Sequence, residues 1–212
     1  MKGLLLKDWY NILRYCRSLL VMSVVFTLVS VFYRDNPIFL VYPCLFSGMI
    51  PMTLCSYDER EKWNLYTGAL PLTPRDYVSA KYLVGLVALA AVLAVTVGFR
   101  AAVAGAVLHQ PWTGDLPMVF LLWGVGTLTP TLSLPLIFRF GAEKARIIYL
   151  VLVGALCGGS FLLVAQLNGN GEFSALSRTI PPAFPAAFCA AVLGLFAVSW
   201  AVSTVIYRQR EK

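Results

Sequence analysis

Long runs of residues without a charge restrict most strongly how this chain can fold. Six such runs, from 16 to 29 residues long, lie between charged residues. A helix needs about 20 apolar residues to cross a hydrocarbon core about 30 Å thick. We therefore predict an all-α integral membrane protein with one transmembrane domain over residues 1–212, whose six helices lie at about 18–34, 37–57, 79–101, 116–138, 147–167 and 183–207.

The composition excludes a water-soluble globule. Apolar residues make up 59% of the chain and charged residues 13%, whereas soluble domains have about 45–50% and about 25%. In water such a chain would expose far more apolar surface than the few hundred Å² that monomers tolerate. The formal charge of +7 lies at the ends of the apolar runs and forms no stripe, so we expect a lipid bilayer and no nucleic acid as partner.

Counting lysines and arginines orients the predicted helices. If both termini lie on one side, that side holds 14 of the 17 basic residues, and Arg34, Arg100 and Arg178 remain for the other side or the membrane. Cytoplasmic loops carry the excess of Lys and Arg. We therefore predict a multi-pass protein with both termini in the cytoplasm and the connection 109–115 outside.

The first 14 residues are too polar to span a membrane. On a helix, one face would carry four apolar residues: Leu5, Trp9, Ile12 and Leu13. Such a face with a tryptophan is typical of a helix that lies in the membrane interface. We predict an interfacial elbow helix over 1–16, which either anchors the first span or transmits movement from a cytoplasmic partner.

The segment between the second and third predicted spans is longer than a reversal of direction requires. Helix–helix connections take about 2–8 residues, and this one has about 20. It begins with acidic residues, which favour a helix N-terminus, and one helical stripe carries Glu59, Trp63, Tyr66 and Leu70. We predict a helix over 58–70 whose aromatic rings fill a groove on a second protein. The alternative is an interfacial helix whose rings meet only lipid headgroups.

Two stretches resemble a known family. The opening MKGLLLKDWY and the cytoplasmic stretch DEREKWNLYTGALPLTPRDYVSAKYL, in a charge-poor six-span chain, resemble the ABC-2 family of ABC transporter permeases. More narrowly, they resemble small bacterial permeases that export phenol-soluble-modulin-like peptides. The resemblance implies a permease subunit of an ATP-driven exporter in the bacterial plasma membrane, which moves amphipathic or toxic peptides out of the cell.

The resemblance also implies a docking site. In that family the loop after the second span is a coupling helix that inserts into a cleft on the ATP-hydrolysing subunit, which places this role on 58–70. The ATPase-coupling residues so implied are the anchors Trp63 and Tyr66, the polar contacts Asp58, Glu59 and Arg60, and Leu70. A full transporter would contain two copies of an ABC ATPase subunit and two permeases, as a homodimer or as a heterodimer with a paralogue.

The sequence carries no catalytic motif of its own. It has no phosphate-binding loop of the form G-x-x-x-x-G-K-[ST], so we expect no cofactor on this chain and place ATP and Mg²⁺ on the partner ATPase. Histidine is the usual catalytic base or metal ligand, and His109 is the one histidine, which disfavours a membrane enzyme. The five cysteines have no paired spacing, so we expect no metal site.

Arg100 lies near the end of the third predicted span. An arginine deep in lipid costs at least about 2.5–3.5 kcal/mol on insertion scales, so its side chain should reach protein, water or headgroups. One hypothesis is that the side chain extends to the outer interface. The other is that it lines the exit of a translocation path.

The fourth predicted span carries three prolines, Pro117, Pro130 and Pro135. Each proline removes a backbone hydrogen bond that neighbouring hydroxyl groups or helices must replace. We predict a kinked helix.

A substrate-binding membrane subunit of an energy-coupling-factor type importer is the alternative hypothesis, because it also has six spans and relies on separate ATPases. It would carry polar ligand groups near the external loops and small residues on its first span. Here the first span is rich in Leu, Val and Phe, and the docking features lie in the first cytoplasmic loop. The sequence leaves the cargo open between peptides, drugs, lipids and ions.

Overall fold

The computed structural model describes residues 2–32, 38–63, 73–108, 116–169 and 184–210. Helix accounts for 96% of this part of the chain and no strand occurs in it, which confirms the predicted all-α class. The helices are α1 (Lys2–Tyr15), α2 (Arg17–Phe32), α3 (Ile38–Gly48), α4 (Ile50–Arg60), α5 (Pro74–Leu108), α6 (Leu116–Phe140), α7 (Ala142–Gly169) and α8 (Phe184–Arg210).

A sharp bend joins α1 to α2 at Cys16. The two helices meet at 68°, and the hydrogen bonds from Cys16 N to Ile12 O (3.0 Å) and from Leu20 N to Cys16 O (3.1 Å) continue across the bend. The face of α1 that carries Leu4, Asp8 and Ile12 is buried, and α1 packs on α4 and α5. A helix therefore exists where the sequence predicts one, while its role as an interfacial elbow stays a prediction.

The second predicted span consists of two helices, α3 and α4, which are separated at Met49. Pro51 has no N–H group for the carbonyl of Ser47, four residues earlier, so the hydrogen-bond ladder is interrupted at this point. At Gly48 the backbone lies so close to α6 that a Cβ atom would be 2.6 Å from Thr129 Cβ. Glycine is therefore what allows α3 to approach α6 this closely.

Two prolines lie inside α6 without ending it. Pro135 has no N–H group for the carbonyl of Thr131, and the Ser199 hydroxyl of α8 donates to that carbonyl oxygen at 2.6 Å. The Tyr82 hydroxyl of α5 lies 2.6 Å from Ser199 Oγ and 2.8 Å from Ser203 Oγ. This hydroxyl network replaces the missing backbone bond and joins α5, α6 and α8.

An aromatic cluster fixes the start of α5 against the ends of α6 and α8. The Tyr77 ring stacks on Tyr207 with the centroids 5.1 Å apart. Phe138 meets the two rings edge-on, at 6.3 and 5.6 Å, and all three side chains are buried. The packing therefore holds Tyr77 in one position beside the charged residues that the next subsection describes.

Within the described residues, three helices are individually long and apolar enough to cross a membrane: Pro74–Val103, Val119–Phe140 and Ala186–Gln209. The bent pair Gly3–Tyr15 and Arg17–Ser30 adds a fourth if it is counted as one span. The molecule is therefore a membrane protein with several apolar helices. The predicted total of six spans and their boundaries stay predictions.

Candidate functional site

Four charged side chains from three helices meet at one end of the bundle. Lys81 Nζ of α5 lies 2.7 Å from Asp58 Oδ2 of α4 and 2.8 Å from Asp8 Oδ1 of α1. Lys7 Nζ of α1 lies 2.5 Å from Asp58 Oδ1. We refer to Lys7, Asp8, Asp58 and Lys81 as the buried-charge cluster. Its two lysines balance its two aspartates, so it joins α1, α4 and α5 without net charge.

The buried-charge cluster lies almost entirely out of solvent. The side chains of Asp8, Asp58 and Lys81 are 0%, 1% and 0% exposed, and that of Lys7 is 19% exposed. Removing one partner of a buried pair leaves an uncompensated charge and costs about 3–5 kcal/mol. The three helices cannot separate here without this cost, so we expect their ends to move as one unit.

Asp58 is the residue on which the buried-charge cluster converges. Besides both lysines, its Oδ2 accepts a hydrogen bond from the Tyr77 hydroxyl at 3.0 Å. Burial alone would raise the pKa of Asp58, but the nearby charge of Lys81 and the hydrogen bonds from Lys7 and Lys81 outweigh it, so the pKa lies below the ordinary value. Asp58 is therefore a carboxylate that its neighbours keep ionised.

A cap at the start of α5 positions the residues that α5 supplies. The Thr73 backbone N–H donates to Asp76 Oδ2 at 3.2 Å, and the Asp76 backbone N–H donates to Thr73 Oγ1 at 3.3 Å. This reciprocal arrangement is a capping box, which fixes where a helix begins. Tyr77 and Lys81 then lie four residues apart and share one face of α5, directed at Asp58.

The structure corrects the start of the predicted coupling helix. Residues 58–60 form the last turn of α4 and not the first turn of a separate helix. The chain leaves α4 after Arg60, and Lys62 takes a φ of 52°, a left-handed conformation that interrupts a helix. Beyond this turn the Trp63 ring lies 3.8 Å from Lys7 Nζ and packs on the apolar core. Trp63 therefore contacts the buried-charge cluster directly.

Glu59 connects the end of α4 to the start of α7. Its Oε2 accepts a hydrogen bond from the backbone N–H of Ala142 at 2.7 Å, and a carboxylate at a helix N-terminus also interacts favourably with the helix dipole. Gly141, between α6 and α7, has a φ of 85°, which glycine adopts without strain. The end of α4 thus holds the α6–α7 junction as well as α1 and α5.

The four predicted coupling residues that the structure describes, Asp58, Glu59, Arg60 and Trp63, are not one exposed surface. Asp58 is buried inside the bundle, and Glu59 accepts a hydrogen bond from the start of α7. Arg60 is exposed and Trp63 is half-buried. The predicted Tyr66 and Leu70 lie outside the described residues. Whether any of the six transmits ATPase movement stays a prediction.

Arg100, the predicted path residue, lies in α5, far along the helix from Lys81, and its side chain is half-buried. It has no salt bridge with the acidic side chains in the described part of the chain. Both hypotheses for Arg100, that its side chain extends to the outer interface and that it lines the exit of a translocation path, therefore stay open.

Sequence reasoning missed Lys7, Asp8, Tyr77 and Lys81. The available signal is Lys81 itself, which follows Ala80 at the edge of an apolar run and which enters the sequence prediction only as a charge that orients the helices. A lysine or an aspartate whose side chain lies on the apolar face of its helix needs a partner of opposite charge when it is buried. Which partners they find depends on how the helices pack, and this information is not present in a single sequence.

These observations define an all-helical membrane protein whose helices are joined by buried ion pairs at one end. Residues 3–208 match the sequence profile of a family described as ABC-2 family transporter protein. Because the match covers nearly the whole chain, the chain belongs to the ABC-2 transporter family. This family consists of membrane subunits, generally non-catalytic, that usually work with an ABC ATPase partner.

The family match confirms the broader resemblance, to ABC-2 permeases, and leaves the narrower one, to peptide exporters, as a prediction. Comparison with curated proteins gave no match, and neither did comparison with solved structures.

Proposed function

We propose that this chain is the permease subunit of an ABC exporter that moves amphipathic peptides out of the cell. ATP is hydrolysed on a separate ABC ATPase, present in two copies, and two permeases form the path across the membrane. Family membership supports the permease role and the need for an ATPase partner. The narrower sequence resemblance supports the direction and the cargo.

The observation that carries the proposal is the contact between Trp63 and the buried-charge cluster. Trp63 lies within the segment 58–70 that the resemblance assigns to ATPase docking, and its ring lies against Lys7. Lys7 bonds Asp58, and Asp58 bonds Lys81. A displacement of Trp63 is thus passed to α1, α4 and α5 through contacts that are costly to break.

The proposed mechanism follows from these links. ATP binding brings the two ATPases together and displaces the docking segment 58–70 at Trp63. Helices α1, α4 and α5 move with this segment because the buried-charge cluster joins them. The α6–α7 junction follows because Glu59 is hydrogen-bonded to Ala142. The permease pair then opens toward the outside. Amphipathic peptides partition into the membrane interface by themselves, so they reach the permease from the inner leaflet.

Co-purification tests the proposal. The chain is expressed with a candidate ABC ATPase subunit from the same cell, purified, reconstituted and assayed for ATP turnover with amphipathic helical peptides. We expect stable co-purification and ATP turnover that these peptides stimulate. Trp63→Ala should lower both, and Tyr10→Ala, a change at an exposed ring on α1, serves as the control that should lower neither.

Two results would contradict the proposal. The first is a wild-type chain that never retains an ATPase under conditions in which it stays folded. The second is a Trp63→Ala chain that retains the ATPase and the peptide-stimulated turnover at the wild-type level. If the ATPase binds but another cargo class stimulates turnover, the peptide assignment is wrong and the permease role stands.

A further inference from the structure

A groove runs along the outside of the bundle between the α1–α2 bend and α5. Its volume is about 380 Å³ and its walls are almost entirely apolar. The lining side chains include Leu13 of α1, Val24 of α2 and Val95 of α5, each more than half exposed. The groove is therefore open toward the surroundings of the bundle.

The length of the groove corresponds to one leaflet of a bilayer. Along α5 its lining extends from Leu83 to Val95, which is about 18 Å at 1.5 Å per residue. Half of a hydrocarbon core about 30 Å thick is about 15 Å. A single extended acyl chain therefore fits the long axis of the groove.

A positive charge lies at the bend end of the groove. Arg17 is exposed and precedes Leu20, a lining residue, by one turn on the same face of α2. In the part of the chain that the structure describes, no carboxylate forms a salt bridge with Arg17. Among the other cations at this end, Lys7 is paired with Asp58 and Lys81 with Asp8. The exposed Arg14 lies over the Tyr15 ring, 5.4 Å from its centroid.

We propose that the groove binds one acyl chain of an anionic phospholipid of the cytoplasmic leaflet, with the headgroup phosphate at Arg17. The site is apolar where the acyl chain lies and positive where the headgroup lies. The cytoplasmic leaflet carries the negative surface charge of a cell membrane. The choice of leaflet rests on the orientation in the proposed function, with the N-terminus in the cytoplasm.

The charges favour a phospholipid over a second copy of this chain as the occupant. A second copy would have to bring a carboxylate to Arg17. Five of the six acidic side chains that the structure describes already bind groups of their own chain: Asp8, Asp58, Glu59, Glu61 and Asp76. A phospholipid, in contrast, supplies the negative charge for Arg17 with its own phosphate group.

Lipid retention by the full-length chain, purified without any ATPase, tests the site. The protein is equilibrated with equal amounts of phosphatidylglycerol and phosphatidylcholine of identical acyl chains, and native mass spectrometry counts the lipids that remain bound. We expect one retained lipid and a preference for phosphatidylglycerol, because its phosphate keeps a net negative charge, whereas the choline cation of phosphatidylcholine neutralises the phosphate of that lipid. Arg17→Gln should reduce that preference roughly fivefold, since a basic residue near a membrane surface contributes on the order of 1 kcal/mol.

Two matched controls accompany the variants. Arg146→Gln removes an exposed arginine at the start of α7, and the preference should stay unchanged. Ala91→Phe fills the groove and should abolish the retained lipid. Ala90→Phe adds the same ring at an exposed neighbouring position outside the groove and should leave the count at one.

Equal retention of the two lipids by the wild-type chain would overturn the proposal, as would an unchanged lipid count in Ala91→Phe. Loss of a permease dimer in Ala91→Phe without any change in bound lipid would assign the groove to a second copy instead. None of these measurements involves an ATPase. A failure of the lipid site is therefore distinct from a failure of the proposed transport function.

Discussion

Lys81 and Lys7 contribute unequally to the buried-charge cluster. Lys81 Nζ contacts Asp8 through both carboxylate oxygens, at 2.8 and 3.0 Å, and also contacts Asp58. Lys7 Nζ contacts Asp58 closely but lies 4.0 Å from Asp8. Lys81 is thus the partner on which Asp8 depends, and its loss should matter more than the loss of the partly exposed Lys7.

Lys81→Met should therefore destabilise the folded chain strongly. It leaves the carboxylate of Asp8 buried beside a lysine that already pairs with Asp58, and breaking a buried pair costs about 3–5 kcal/mol. Thermal unfolding in detergent, followed by circular dichroism, measures the loss. The double variant Lys81→Met with Asp8→Asn removes the orphaned charge and should recover a large part of the stability. An unchanged unfolding temperature in Lys81→Met would contradict the structure.

Asp58 makes the stability of the fold depend on pH. Its pKa is lower in the folded chain than its ordinary value, because ionised Asp58 is bonded to two lysines. The stabilisation is therefore present above the unfolded pKa of an aspartate, about 3.9, and is lost as the pH falls through the lower folded value. Unfolding temperatures measured from pH 6 downward should fall, and the fall should be shallower in Asp58→Asn. Identical profiles would exclude Asp58 as the titrating group.

At the scale of a helix, α6 depends on a neighbour for a hydrogen bond that its own proline prevents. Ser199→Ala removes the donor to the Thr131 carbonyl and should cost about 1–3 kcal/mol, the cost of a buried group left unsatisfied. Pro135→Ala restores a backbone N–H and should suppress the effect of Ser199→Ala in the double variant. Thr204→Ala, at an exposed hydroxyl of the same helix, is the matched control.

Additive effects in that double-mutant cycle would show that Ser199 does not replace the proline bond. Chemical unfolding in detergent gives the free energies for all four chains.

At the scale of the molecule, the predicted orientation can be tested by labelling. The four cysteines whose side chains are described are buried, so an added surface cysteine reacts preferentially. A membrane-impermeant maleimide should label Arg60→Cys and Arg208→Cys, both at exposed positions, in inverted vesicles and not in intact cells. Asp115→Cys, in the predicted external connection, should give the opposite pattern. Labelling of Arg60→Cys from outside would reverse the orientation.

The sequence predicts the helical class and the membrane setting because charge-free runs depend on local composition. It also predicts that another group must donate a hydrogen bond to the carbonyl four residues before Pro135, because a proline has no N–H group to donate to it. It does not predict that residues 58–60 end α4, because the left-handed turn at Lys62 carries no glycine to mark it. Nor does it reveal the buried-charge cluster, whose members are as many as 74 positions apart, from Lys7 to Lys81, and meet only through packing.

The separation of these charges along the chain also affects how the protein is made. A ribosome that has synthesised α1 to α4 has already produced Asp8 and Asp58, but of the two lysines only Lys7 exists. The part of the buried-charge cluster that exists at this point then contains two carboxylates and one ammonium group. We expect α1 and α4 to reach their final arrangement only after the start of α5 has left the exit tunnel, so that Lys81 sets the earliest moment of their assembly during translation.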